Sequence, residues 1–159
     1  EYRRQRQMCI RDSISIDGIE DVAEFVRYGT KWSRFERNFD KQLDHFDVIP
    51  HFVFHSLNSL DLTATIDWLI SKGVEEETMS YDFLDAPEWL NASYLPSEAK
   101  EFIISFNDNF LQTEINNFLS TNTFDNDYCI KLLEWMNAKG DMPDKCEAIY
   151  YEVSGCIKY

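Results

Sequence analysis

The sequence is poor in basic residues: it has 15 Lys and Arg against 29 Asp and Glu, a net charge of −14. Proteins that bind nucleic acid or anionic membranes through a general surface need clustered Lys and Arg to neutralise phosphate. We therefore expect no nucleic-acid partner and no membrane partner. A small ligand pocket stays compatible with this composition.

Long apolar runs and regularly spaced cysteines are also missing. No stretch approaches the ~18 apolar residues of a membrane span, and the cysteines are too few and too irregular for a disulfide framework or a CxxC metal motif. We expect a cytoplasmic protein in which Cys129, Cys146 and Cys156 are buried structural thiols. The alternative is that these three cysteines ligate an auxiliary cluster.

Residues 3–13, RRQRQMCIRDS, look like an in-frame translation of a transposase sequencing adapter. We therefore set residues 1–13 apart as a non-native, adapter-derived segment. A basic N-terminal arm for nucleic acid is the rival interpretation. Without this segment the chain has 11 basic and 27 acidic residues, a net charge of −16, and the natural gene is expected to enter at Ile14.

Three short runs rich in β-branched and aromatic residues predict strands near 14–17, 49–55 and 79–84. Their spacing of about thirty residues is that of the βα units of a barrel, and helical patterns lie between them. The fold class is therefore α/β, with three parallel neighbouring strands joined by right-handed crossover helices.

Only helical patterns follow from Ser97 onward, with apolar residues recurring at helical spacing. We divide the chain into an α/β part, 14–96, and an all-helical tail, 97–159. The pattern reaches Tyr159 without a stop signal, so we expect this end to be cut.

Polar residues follow each predicted strand. In parallel sheets ligands bind at the carboxyl ends of the strands, so polar residues there are functional candidates. The residues at these ends are Ser15, Asp17, His55, Ser56, Asn58, Asp82 and Asp85.

Four segments in this order resemble the back half of a radical S-adenosylmethionine enzyme of the twitch-domain-containing group. They are residues 15–18 (SIDG), 26–32 (VRYGTKW), 54–60 (FHSLNSL) and the loop 85–96, which contains DAPEWL and YLP. The resemblance covers about residues 14–110. It implies that the chain is the C-terminal half of a partial (β/α)6 TIM-type barrel, with the SIDG strand as the fourth of six.

The same resemblance implies a function and a set of cofactor-binding residues. Enzymes of this family cleave S-adenosylmethionine reductively to a 5'-deoxyadenosyl radical, using a 4Fe-4S cluster. By resemblance, Ser15 and Asp17 face the ribose or amino group of the cofactor, Arg27 its carboxylate, and Asn58 the region of the ribose or substrate. Oxygen acceptors and a bidentate guanidinium suit these groups.

One departure from the family pattern limits this expectation. The three-cysteine loop that holds the cluster belongs after the first strand of the barrel, and it is absent from this sequence. We therefore expect a fragment that is inactive by itself, binds no cofactor and has no metal site, while S-adenosylmethionine and the cluster belong to the full-length protein. The catalytic residues and the substrate stay unknown.

Each candidate also has a structural interpretation. Asp17 is also typical of a turn at a strand end, Arg27 of a solvated loop, and Asn58 of a helix cap, although Asp61 is better placed to cap. His45, His51 and His55 lack the spacing of a metal site. The alternative function is a non-catalytic α/β interaction module with an acidic helical extension.

Overall fold

The structure, a computed structural model, describes residues 11–158. Within this range β1 (Arg11–Ser15), β2 (Asp47–Phe54) and β3 (Ser80–Phe83) form a parallel sheet in the order β1-β2-β3. The prediction of an α/β fold with three adjacent parallel strands is confirmed. However, β1 begins at Arg11 rather than near Ile14, because backbone pairing with β2 extends into residues 11–13.

Helices form both crossovers. α1 (Glu20–Val26) and α2 (Trp32–Leu43) connect β1 to β2, and α3 (Leu62–Ser71) connects β2 to β3. Gly73 follows α3 with a φ of 86°, the left-handed conformation in which helices commonly end at glycine.

An all-helical tail follows the sheet, as predicted. It consists of α4 (Ser97–Phe106), α5 (Gln112–Leu119), α6 (Asn126–Lys139) and α7 (Asp144–Ser154). Among residues 11–158 no helix combines the length and the apolar composition needed to cross a bilayer.

The two faces of the sheet differ in exposure. Along β2 the side chains of Val48, Pro50, Phe52 and Phe54 are buried, while the alternate residues between them are half-exposed. The buried face packs into the helical core, and the other face is open. In a parallel strand that is covered on both faces, consecutive side chains are all buried. The alternation along β2 therefore shows that β2 is covered on one face only.

The tail shares its hydrophobic core with the sheet. Phe118 of α5 lies 4.6 Å from the ring of Phe83 on β3 and 6.1 Å from that of Phe54 on β2, measured between ring centroids. Buried residues of α4, α6 and α7 belong to the same cluster as Phe52 and Phe54. The apolar face of the sheet is therefore covered in part by helices that come late in the chain.

Replacement of Phe118 with Ala should destabilise the whole chain, because it removes the ring that joins the tail to β2 and β3. Phe118 is half-buried, so we expect a loss of about 2–3 kcal/mol, below the range for fully buried phenylalanines. Urea unfolding followed by circular dichroism measures the change. The control is Phe124→Ala, since Phe124 is 40% exposed, and an equal loss in both variants would contradict the role of Phe118.

Candidate functional site

The candidate site lies where β1 ends. The N–H of Ile16 donates to the carbonyl of His51 at 2.9 Å, so the chain stays beside β2 after the strand. Gly18 then turns it with a φ of 140°. A Cβ atom on Gly18 would lie 2.8 Å from Cγ1 of Val22 and 2.9 Å from Oδ2 of Asp61, so the turn requires glycine.

Three of the four predicted cofactor-binding residues meet in a cleft at this edge. Ser15, Asp17 and Arg27 line it together with Thr30 and Trp32. Oδ2 of Asp17 lies 2.6 Å from Nη2 of Arg27, and the two side chains are 15% and 54% exposed. The carboxylate and the guanidinium therefore form a partly buried ion pair.

The cleft is small, with a volume of about 50 Å³. One water-sized probe needs roughly 10–15 Å³, whereas pockets for drug-sized ligands measure about 300–1,000 Å³. The cleft therefore has room for one polar group of a ligand. A larger ligand would extend over the open face of the sheet.

Asn58 does not line the cleft. Its side chain is buried: Oδ1 accepts from the N–H of His55 at 2.9 Å, and Nδ2 donates to the carbonyl of Val53 at 2.8 Å. These bonds hold the turn that follows β2. In this arrangement both polar groups of Asn58 bind backbone, and the structure does not bring it together with Ser15, Asp17 and Arg27.

His55 is a buried imidazole close to the cleft. Its Nδ1 accepts a hydrogen bond from the N–H of Leu57 at 3.2 Å, an arrangement that suits the neutral ring with its proton on Nε2. Burial lowers the pKa of His55 to about 4, and the negative charge of Asp17 acts in the opposite direction. His55 is thus neutral at physiological pH and lies within electrostatic reach of Asp17.

Asp61 connects the turn after β1 to the helical tail. It is 1% exposed. Its Oδ2 accepts from the N–H of Ile19 at 2.7 Å, and its Oδ1 lies 2.5 Å from Nζ of Lys145 on α7. Sequence analysis placed Asp61 as a helix cap, but its side chain makes no capping hydrogen bond to α3. Its carboxylate instead joins the turn after β1 to α7.

The whole turn between β2 and α3 is buried, from His55 to Asp61. Buried backbone needs hydrogen-bond partners, and the tail and the loop after β3 supply several. Nδ2 of Asn107 donates to the carbonyl oxygen of Ser59 at 2.8 Å, and the thiol of Cys146 donates to the carbonyl oxygen of Leu57 at 3.3 Å. The N–H of Ser56 donates to the carbonyl oxygen of Leu90 at 2.9 Å. The turn is therefore fixed from several directions.

The cysteines of the described part of the chain are free thiols with structural surroundings. Cys129 and Cys146 are buried, and burial raises the pKa of each to about 12. Cys156 is half-buried and its pKa is raised by the same cause. In residues 11–158 no group of three or more His, Cys, Asp or Glu is placed to hold a metal ion.

The sequence pointed to part of this site and missed the rest. Thr30 and Trp32 were not among the predicted residues. They lie in the segment 26–32 that carries the family resemblance, and that resemblance could have pointed to them. The partnership of Asp61 with Lys145 joins residues 84 positions apart, and no spacing rule in a single sequence connects them.

The fold and this edge define an α/β protein with a polar cleft at the carboxyl end of a parallel sheet. Comparison with protein-family models, with curated proteins and with solved structures gave no significant match.

The buried imidazole of His55 predicts a pH-dependent stability. Below pH 6.5 the unfolded chain binds a proton at this histidine, whereas the folded chain does not until about pH 4. The contribution is therefore present above pH 6.5 and is lost as the pH falls to 4, with a slope of at most about 1.4 kcal/mol per pH unit. His55→Asn keeps an acceptor for the N–H of Leu57 and should show a shallower decline.

Urea midpoints from pH 7.5 to 4.5 measure this slope. His45→Asn is the matched control, since it removes an exposed histidine. Parallel pH profiles for the parent protein and His55→Asn would contradict the assignment.

Lys145→Met should destabilise the protein, because it leaves the carboxylate of Asp61 buried without its cation. The side chain of Lys145 is 36% exposed, which lessens the penalty. We therefore expect a loss of about 2–3 kcal/mol in the free energy of unfolding, rather than the 3–5 kcal/mol of a fully buried pair. Lys31→Met breaks a surface pair with Glu24 and should cost less than about 1 kcal/mol. Adding Asp61→Asn to Lys145→Met should recover part of the lost stability. A double variant that is less stable than either single variant would contradict this account.

Proposed function

We propose that this chain is part of a radical S-adenosylmethionine enzyme and that its sheet is the second half of a partial (β/α)6 barrel. The observation that carries the proposal is the meeting of Ser15, Asp17 and Arg27 at the carboxyl edge of β1. The parallel order β1-β2-β3 with helical crossovers also supports it. Such edges hold the ligands of α/β barrels.

The residues of the cleft suit one end of an amino-acid-containing cofactor. Ser15 and Asp17 offer acceptors for hydroxyl or amino groups, and Arg27 offers paired donors for a carboxylate. Because Arg27 is already paired with Asp17 at 2.6 Å, a ligand carboxylate would take over the guanidinium while the ligand's amino group takes over Asp17. The ion pair thus marks the positions of two opposite charges on the ligand.

The closely spaced cysteine triplet that holds the cluster in the resembled family is absent from this sequence, and among the residues that the structure describes no group of three or more His, Cys, Asp or Glu is placed to hold a metal ion. A cluster would be held by another part of the full-length protein. We expect the 159-residue chain to bind S-adenosylmethionine weakly, because the hydrogen bonds that the cleft can supply are worth about 0.5–1.5 kcal/mol each.

The alternative function is a non-catalytic interaction module with an acidic helical extension. The observation that favours it is that Arg27 and Asp17 satisfy each other in a cleft of about 50 Å³. In this case the open face of the sheet would meet a protein partner, and the ion pair would only hold the loop after β1.

Extending the nucleotide sequence upstream separates the two. Three further βα units need about 90–120 residues at barrel spacing, and the radical enzyme requires a triplet of closely spaced cysteines within them. An upstream reading frame of that length without the cysteine triplet would refute the proposal.

In the extended protein, Asp17→Ala should lower cleavage of S-adenosylmethionine by about tenfold or more, since a charge-assisted hydrogen bond is worth roughly 1.5–3 kcal/mol. The iron content should not change, because Asp17 would contact the cofactor and not the cluster. Asp85→Ala is the matched control, an exposed carboxylate that follows β3. Cleavage at the parental rate in Asp17→Ala would show that the assignment of Asp17 is wrong.

A further inference from the structure

The open face of the sheet carries a serine, a histidine and an aspartate in contact. His51 lies on β2, and its register partner on β3 is Ser80. Asp82 follows two residues later on β3, so its side chain emerges on the same face. None of these three residues belongs to the cleft of Asp17 and Arg27.

The imidazole of His51 joins the other two side chains. Its Nδ1 lies 3.0 Å from Oγ of Ser80, and its Nε2 lies 3.5 Å from Oδ2 of Asp82. With the ring proton on Nε2, facing the carboxylate, Nδ1 accepts the hydroxyl proton of Ser80. The carboxylate of Asp82, 3.5 Å from Nε2, places a negative charge beside the ring that stabilises the imidazolium formed when the ring takes a proton. In this arrangement His51 is the base and Ser80 is the group that it activates.

Other serines on this face lack this arrangement. Ser13 is exposed and has Ile49 as its register partner on β2. Ser15 is also exposed and is the register partner of His51 on β1. Nδ1 of His51, however, is hydrogen-bonded to Oγ of Ser80 on the other neighbouring strand. The contrast assigns the activated hydroxyl to Ser80.

We propose that Ser80, His51 and Asp82 form a nucleophilic triad that accepts acyl groups from carboxylic esters. A serine hydroxyl hydrogen-bonded to a base, with a carboxylate beside that base, is the arrangement that activates serine in acyl transfer. The chain order His51, Ser80, Asp82 is compatible with this role, because triads are recognised by geometry and roles rather than by sequence position.

The surroundings indicate which esters would bind. Ile49 and Val53 flank His51 on the same face of β2 and are half-exposed. They offer two apolar contacts beside the nucleophile for an aryl or short alkyl group. The side chain of His51 is 25% exposed and that of Asp82 is 75% exposed, so the ester approaches from solvent across an open surface.

Each half of the reaction moves one proton through His51 and exchanges one bond at the carbonyl carbon. Oγ of Ser80 forms a bond to the carbonyl carbon while its proton passes to Nδ1 of His51. The bond between that carbon and the alcohol or phenol oxygen then breaks, and the leaving oxygen takes the proton from His51. In the second half, His51 takes a proton from water while the water oxygen bonds to the carbonyl carbon. The bond between that carbon and Oγ of Ser80 then breaks, Oγ takes the proton from His51, and the acid is released.

p-Nitrophenyl acetate is the probe, used with the 159-residue chain as it is. We expect release of p-nitrophenolate with acetylation of Ser80, located by peptide mass spectrometry. Ser13 in the same molecule should be acetylated about 10²-fold more slowly, since that is the lower range of what a positioned base contributes. This ratio is measured in the parent protein and does not depend on the folding of any variant.

Variants then test the roles. Ser80→Ala should abolish the acetylated peptide, and His51→Gln should slow its formation by about 10²-fold, while His45→Gln and Ser13→Ala leave it unchanged. Equal acetylation of Ser80 and Ser13, or an unchanged rate in His51→Gln, would overturn the proposal. The experiment needs no cofactor, so its outcome is separate from that of the radical-enzyme proposal.

Discussion

The structure depends on a carboxylate that is removed from water. Asp61 is 1% exposed, and a buried charge is tolerated only when hydrogen bonds and an opposite charge compensate it. The N–H of Ile19 and the amine of Lys145 provide both. Gly18 provides the space, since any Cβ there would lie 2.9 Å from the carboxylate. The turn that positions Asp17 is therefore set by a residue on another loop and a residue on the last helix.

Much of the fold was predictable because local patterns and tertiary structure agree. The β-branched and aromatic runs gave the three strands, and the glycine at position 73 gave the end of α3. The bounds of β1 were less predictable, because main-chain pairing with β2 continues into residues 11–13 whatever their side chains are. Which residues of β2 lie on the covered face was not predicted either, since Phe52, Val53 and Phe54 are all apolar and only the structure separates the covered face from the open one.

The candidate site was predictable where it depends on position along a strand. Ser15 and Asp17 follow from the end of β1, and Arg27 follows from the resemblance in residues 26–32. Asn58 shows the limit of such reasoning. It also follows a strand, but both polar groups of its side-chain amide are hydrogen-bonded to nearby backbone, at His55 and Val53. Whether a polar side chain at a strand end faces a ligand or the main chain is decided by local turn geometry, which residue type does not reveal.

The pairing of Asp61 with Lys145 also has a consequence for biosynthesis. The two residues are 84 positions apart, which a ribosome crosses in roughly 4–17 s at about 5–20 residues per second. Until Lys145 is translated the carboxylate of Asp61 has no cation from α7, and until α5 is translated Phe54 and Phe83 lack the ring of Phe118. A sheet formed from β1, β2 and β3 before these helices are made would therefore be incompletely packed, with the carboxylate of Asp61 still accessible to water.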